Sequence, residues 1–306
     1  MGFLQELYIA NDKVYENLPI KPFTSVFVGG KADYLVFPKS VKEVRDTVEI
    51  CKNYKKDFFV LGGGSNLLVS DNGFRGVIVG TKNLDTFIID KNKVLVGSGV
   101  KVSYLITKLK ERGISSLEFL SGVPLTVGGA VVSNAGAFSK STFDFVKNIT
   151  ILRKGKLITL KKEDCNFSYR KNGFIKKDDI ITLVEFEFFY KDKREIEKDI
   201  EKSLNFRKNF QPKHKTFGST FINQDYFAGE VIEKAGLKGV SIGGARVSTV
   251  HANFLENYNN ATAFDLYSLL LKVEKVVEER FNIKLIREVK LVGDFDDFNG
   301  WLSYAY

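Results

Sequence analysis

A chain of 306 residues, 44% hydrophobic and 27% charged, has room for two or three domains and the balance of a soluble globular protein. No apolar run approaches the ~20 residues of a membrane span, the N-terminal stretch lacks the basic start of a secretory signal, and two distant cysteines, Cys51 and Cys165, argue against a disulfide framework or zinc site and suit a reducing cytoplasm. The net charge of +9 favours anionic partners and is equally well met by a solvated lysine surface; scattered basic residues without a reading motif argue against nucleic acid.

In chain order, Tyr34 to Phe37 reads as a strand. Ser40-x-x-Glu43 is a capping box that opens a helix with Val41, Val44, Val48 and Cys51 on its apolar face. A second strand, Phe58 to Leu61, runs straight into Gly62-Gly63-Gly64-Ser65-Asn66, a glycine turn at a strand end, where nucleotide phosphates often sit. Short strands are expected at Val77–Val79, Phe87–Ile89 and Val94–Val96, then a helix from Ser103 to Arg112 closed by Gly113. A second run of small residues, Ser121 to Ala130, leads to Asn134-Ala135-Gly136, and strands resume at Ile149–Leu152 and Ile180–Tyr190. The charged run from Lys191 to Lys202 reads as a solvated helix start and a boundary. The C-terminal third reads as another α+β unit. It holds a helix from Tyr226 to Ala235 with Gly236 past its end, and a long amphipathic helix from Thr262 to Phe281 that buries Phe264, Leu269, Val273, Val276 and Val277. A final strand is expected at Leu285–Val292, and the acidic, aromatic tail from Asp294 has no reading.

Glycines 62–64 let backbone amides approach a ligand closely, because no Cβ intervenes and positive φ is open to them. Successive N–H groups can then cradle a pyrophosphate. The plain alternative is a glycine turn. Gly128-Gly129 strengthens the phosphate reading, since a dinucleotide needs two close approaches; the pattern is not G-x-G-x-x-G, so a Rossmann site fits poorly. Arg170, in Ser168-Tyr169-Arg170, can pair bidentately with a carboxylate and never loses its charge, a surface ion pair being the default. Ser219 lies in Gly218-Ser219-Thr220-Phe221, a tight turn; to donate a proton it needs a neighbouring cation or a relay, and a plain turn serine is the simpler reading. Alternation leaves the direction of Glu288 open, and His251 reads as a structural histidine. No Ser/His/Asp or metal-ligand spacing stands out.

The order of these segments is more specific than any one of them. Val28-Gly29-Gly30-x-Ala32-Asp33, Leu61-Gly62-Gly63-Gly64-Ser65-Asn66-Leu67-Leu68-Val69 and Gly122-Val123-Pro124-x-Thr126-Val127-Gly128-Gly129-Ala130 closely resemble the UDP-N-acetylenolpyruvoylglucosamine reductase (MurB) family. So do Tyr169-Arg170, Gly218-Ser219-x-Phe221, Ser248-x-x-His251-x-Asn253-Phe254 and Glu288-Val289, and the resemblance runs from residue 20 to residue 293.

The resemblance implies an α+β chain with an FAD-binding domain of the vanillyl-alcohol-oxidase/PCMH type. Its two α/β lobes would occupy residues 1–80 and 81–192, a C-terminal substrate domain residues 193–293, with a tail of no assigned role at 294–306. It implies non-covalent FAD, NADPH as co-substrate and a UDP-sugar substrate. The reaction would be reduction of UDP-N-acetylglucosamine enolpyruvate to UDP-N-acetylmuramate, for peptidoglycan, in the cytoplasm, with a monomer favoured. Gly62, Gly63, Gly64, Ser65 and Asn66 would hold the FAD pyrophosphate, and Gly122, Thr126, Val127, Gly128, Gly129 and Ala130 would line the other side of the cofactor. Arg170 would hold the substrate carboxylate and stabilise developing negative charge. Ser219 would deliver the proton to C2, and Glu288, in its neutral acid form, would polarise the substrate. Asn223 and Tyr169 would contact the substrate.

The short interval between Arg170 and Ser219 resembles the shorter type of the family, without its extra substrate loop. Several positions depart from the family pattern: Leu125 for glycine, Phe138 for tyrosine, Asn172 for serine, Phe217 for a small residue, and Ile222 and Gln224 for lysine and proline. The alternatives are an FAD-dependent oxidase of the same fold and a non-catalytic flavin- or nucleotide-binding protein. His214 and His251 lie well outside the glycine loops, which argues against a covalent flavin link.

Overall fold

The computed structural model describes residues 1–168, 171–176 and 178–295. The chain forms two compact units, each assembled from separated stretches. Met1–Glu16, Tyr34–Gly63 and Gly76–Arg207 make the first; Asn17–Asp33, Gly64–Arg75 and the chain from Lys208 onward make the second.

In the first unit, Ser40 caps helix Val41–Asn53, its hydroxyl accepting from the Glu43 N–H at 3.2 Å. The Glu43 carboxylate reaches back to the Lys39 N–H at 2.8 Å, one residue further than a standard capping box. Such a cap is worth about 1 kcal/mol. The helix buries Val44, Thr47, Val48, Ile50 and Cys51, whereas Val41, in the first turn, is only half-buried. A four-stranded sheet has the order Val14–Pro19, Lys31–Val36, Phe74–Gly80, Phe58–Leu61. Its last pair is parallel, with Phe58 opposite Val77 and Leu61 opposite Gly80. Parallel neighbours cannot be joined by a tight hairpin. Their connection is residues 62–73, so the glycine run starts at the carboxyl end of a strand, where anion sites form in α/β sheets.

The second sheet of this unit is antiparallel, in the order Lys156–Lys161, Val146–Arg153, Ile180–Glu187, Lys93–Gly97, Phe87–Asp90. Helices Val102–Lys110 and Val127–Val132 add Leu105, Leu109, Val127, Ala130 and Val131 to the core it shares with Val94, Val96, Ile149, Ile151, Val184 and Phe186. The strand expected to run to Tyr190 ends at Glu187. Phe188 bonds instead to Asn92, backbone to backbone at 2.9 Å and through the Asn92 side chain at 2.7 Å, and Phe189–Tyr190 pair with Ile114–Ser115. The charged run feeds helix Lys193–Phe210, which buries only Ile196 and Ser203.

The second unit has an antiparallel sheet in the order Lys215–Ser219, Phe254–Asn257, Ala245–Val247, Ser241–Ile242, sharing a core with helix Ala263–Phe281. Thr262 and Asp265 form a capping box, and the Asp71 carboxylate accepts from the N–H groups of Ala263 and Phe264, both at 3.0 Å. A carboxylate there satisfies orphan donors and complements the helix dipole. Leu269, Val273 and Val277 are buried as expected; Phe264 and Val276 lie at the edges of the apolar stripe and are half-buried. Glu256, only 1% exposed, is paired with Arg246 at 2.7 Å, and that guanidinium lies 4.6 Å over the Tyr258 ring. The final strand is regular only over Lys290–Val292, parallel to Leu67–Val69; upstream of it a single bridge sets Arg287 opposite Phe221. Among the described residues no helix is long and apolar enough to cross a membrane.

Candidate active site

The second glycine stretch is built by the first unit. Thr126 caps the short helix Val127–Val132, its hydroxyl accepting from the Gly129 N–H at 3.3 Å. The Val127 and Gly128 N–H groups donate to Val100 O and Ser98 O, both at 2.8 Å. Gly128 packs so closely that a Cβ on it would lie 2.9 Å from Ser98 Cβ. The buried Ser98 hydroxyl has no hydrogen-bond partner among the described residues. At the start of the stretch, Gly122 has φ +88°, open to glycine and strained for other residues. Arg207, from helix Lys193–Phe210, donates to Ser121 O and Phe119 O, both at 2.8 Å, and so fixes the approach to Gly122. Burial lowers the Arg207 pKa from its usual value.

Gly62 and Gly63 press against this stretch. A Cβ on Gly62 would lie 2.8 Å from Thr126 Oγ1, and one on Gly63 would lie 2.5 Å from Pro124 O. Both glycines are therefore required by contact rather than by turn geometry alone. Where the chain enters the second unit, Gly64 has φ +64°, and a Cβ there would lie 1.8 Å from Phe23 O. Among the described residues the N–H groups of residues 62–65 donate no hydrogen bond. In the first unit, the unengaged N–H groups of Gly62 and Gly63, beside a surface with no room for side chains, fit the close approach of a diphosphate such as that of FAD.

The second unit holds Ser219 at the end of strand Lys215–Ser219, opposite Phe254. Pairing is irregular there, with a register shift between Thr216 and Ser219 and φ +84° at Gly218. Beyond Ser219 the ladder is replaced by bonds to the turn His251–Phe254. Thr220 N–H donates to Asn253 O at 2.8 Å, and the Asn253 amide spans Phe221, accepting from its N–H at 2.9 Å and donating to its carbonyl at 2.8 Å. His251 Nδ1 accepts from the Asn253 N–H at 3.2 Å, which leaves the ring proton on Nε2 in the neutral form. Burial lowers the His251 pKa below the ordinary imidazole value. A Cβ on Gly229 would lie 2.8 Å from His251 Cε1, so the ring is packed against helix Ala228–Lys234.

Glu288 approaches the same segment through its backbone. Its N–H donates to Thr220 O at 2.8 Å, and its carbonyl accepts from Asn66 Nδ2 at 3.0 Å. Asn66 O accepts in turn from the Lys290 N–H at 3.1 Å. Ser219 and Asn223 line one cavity of about 440 Å³, together with Phe227, Glu230, His251 and Asn253. The Asn223 carbonyl is occupied, accepting from the Ala228 N–H at 2.9 Å, so its amide N–H groups are the part left for a ligand. The fold thus gathers Asn66, Ser219, Asn223 and Glu288 in the second unit. Tyr169 and Arg170 lie outside the described residues. Sequence reasoning assigned no role to Arg207 or to Asn253. Arg207 carries no local signal, while Asn253 stood in a recognisable motif without a stated partner.

Comparison with known proteins identifies the chain's relatives. An FAD binding domain family model matches residues 32–161, and that of the UDP-N-acetylenolpyruvoylglucosamine reductase C-terminal domain matches residues 211–292. A UDP-N-acetylenolpyruvoylglucosamine reductase of Caldanaerobacter subterraneus subsp. tengcongensis is 38% identical over 285 residues, 92% of this chain and 94% of its own. One from Clostridium novyi is 36% identical over 292 residues, 94% of this chain and 95% of its own. The crystal structure of the reductase from Thermus caldophilus superposes with a TM-score of 0.79 at 30% identity, covering 92% of this chain and 99% of that one. The fold is α+β, with an FAD-binding domain of the vanillyl-alcohol-oxidase/PCMH type. Likeness along nearly the whole length of these relatives, in sequence and in structure, makes this chain a member of the UDP-N-acetylenolpyruvoylglucosamine reductase family.

Proposed function

We propose that this chain reduces UDP-N-acetylglucosamine enolpyruvate to UDP-N-acetylmuramate, with NADPH as reductant and non-covalent FAD, for peptidoglycan synthesis in the cytoplasm. The observation that carries the reading is the Ser219 turn, locked between Asn253 and the Glu288 backbone, beside a cavity large enough to admit part of a substrate. FAD, when bound, carries two electrons from NADPH to the enolpyruvyl double bond.

The chain's own residues supply placement and charge. Gly62 to Asn66 hold the cofactor diphosphate through backbone N–H groups, and Gly122 and Thr126 to Ala130 give the second close approach. Ser219 donates the proton that C2 needs after reduction. Arg170 pairs with the substrate carboxylate, and Glu288 in its acid form hydrogen-bonds the charge that develops there. Tyr169 and the Asn223 amide contact the sugar nucleotide.

The test is anaerobic mixing in two steps. NADPH bleaches the flavin of the unmodified enzyme, and the enolpyruvyl sugar nucleotide restores its colour. In Ser219→Ala the first step proceeds at its usual rate, while product formation falls by about 10²–10⁴-fold, the ordinary contribution of a positioned general acid. Loss of both steps contradicts a proton-donor role. Rapid return of colour with oxygen, and none with the sugar nucleotide, points to an oxidase of the same fold.

A further inference from the structure

We propose that Asn253 is a positioning residue for Ser219, its side chain clamping Phe221 just past the Ser219–Phe254 pair, where regular strand pairing ends. This rests on the assignment of Ser219 as proton donor. Regular pairing of strand Lys215–Ser219 with Phe254–Asn257 ends at Ser219. Beyond that pair one backbone bond, Thr220 N–H to Asn253 O, leads into the turn, and regular pairing does not resume. Asn253 supplies three bonds to the next two residues: its carbonyl takes the Thr220 N–H, and its side chain takes the N–H and meets the carbonyl of Phe221.

The chemistry needs an asparagine at that point. Closing on both groups of one peptide residue takes an acceptor and a donor on a short, planar side chain. Aspartate offers acceptors alone and would face the Phe221 carbonyl with negative charge. The amide is 4% exposed, so a lost bond is not replaced freely by water. Its own backbone is fixed from behind, since His251 Nδ1 accepts the Asn253 N–H. Thr220 is held on the other side, its carbonyl accepting from the Glu288 N–H. The backbone after Ser219 is therefore held at Thr220 by the Asn253 and Glu288 main chains and at Phe221 by the Asn253 side chain, and the Phe221 clamp is the part that a substitution of Asn253 removes.

A proton donor works only within hydrogen-bond reach of its target, and a misplacement of about 1 Å costs on the order of 100-fold in rate. Asn253→Asp in the flavin-loaded enzyme is therefore expected to accept electrons from NADPH at the normal rate and to be reoxidised by the enolpyruvyl sugar nucleotide about 100-fold more slowly, with kcat reduced and KM little changed. Asn253→Ser, which keeps a short polar group at lower risk to folding, should show a smaller loss of the same kind. A purely structural role would lower flavin content and thermal stability without separating the two half-reactions.

The decisive measurement is the double variant Ser219→Ala/Asn253→Asp. If Asn253 acts through Ser219, the double variant is no slower than Ser219→Ala alone. An equal further slowing in that background, or normal reoxidation of Asn253→Asp and Asn253→Ser, overturns the proposal while leaving Ser219 in its role. Normal reoxidation of Ser219→Ala overturns both.

Discussion

The Gly122–Ala130 stretch of the first unit is shaped by side chains that are missing, and the Ser219 segment of the second by side chains that reach across. Around Gly63 and Gly128 a single methyl group would meet Pro124 O or Ser98 Cβ inside contact distance. At Ser219 the ladder stops, and the Asn253 side chain clamps Phe221 just past it. On the proposed reading the glycine contacts of the first unit serve close approach to a diphosphate. On the same reading Ser219 must place one atom for proton delivery, so a local fixture is what matters there.

The contrast can be broken by substitution. The largest effect is expected from Gly63→Val, whose added carbons must push Pro124 away from the loop. That variant should purify without flavin, shown by the missing visible absorbance; a normal flavin content would remove the loop from the cofactor site. Next is Arg246→Leu in the second unit. It strands the Glu256 carboxylate, 1% exposed, without its cation, and should lower the denaturant-measured stability by about 3–5 kcal/mol. A loss comparable to that from breaking the exposed Lys234–Glu230 pair, at most about 1 kcal/mol, would show that side-chain fixtures matter less in this unit than claimed.

The smallest effect concerns pH. Burial lowers the His251 pKa, Lys238 lowers it further, and Glu233 opposes them; Glu230 lines the same cavity. A depressed pKa means that folding favours the neutral ring. The stabilisation is complete above the unfolded value of about 6.5 and is lost as pH falls through the lower folded value. Protonation of Nδ1 would also set two N–H groups against each other at Asn253. Unfolding midpoints of the native chain should therefore drop on acidification below pH ~6.5, and those of His251→Asn should drop less. Parallel curves for the two proteins would sever the ring from the turn it supports.

Local physics made much of this readable in the chain. Ser40 and Glu43 announced a helix start, because a hydroxyl and a carboxylate at that spacing satisfy orphan N–H groups wherever the helix ends up. Thr262 and Gly236 marked the ends of two other helices in the same way. The glycine runs were visible because no other residue tolerates such close approach. Harder to see was Phe188, which leaves its strand for a bond with Asn92. The strand expected from Leu285 also failed to extend, since its first half makes one bridge to Phe221 and scattered bonds to Thr220, Ile222 and Asn66 in place of a ladder. In both cases the competing partner lies far away in sequence.

The amino-acid order alone determined the family likeness, the glycine stretches proposed to meet a diphosphate and the candidate residues Arg170, Ser219 and Glu288, because these rest on residue type and short spacing. Tertiary structure decided that residues 17–33 and 64–75 join the C-terminal unit, that Asp71 caps helix Ala263–Phe281, and that the Asn253 side chain clamps Phe221 just past Ser219. Each of these is a hydrogen bond or packing contact between distant stretches, formed only when the whole chain has folded around it.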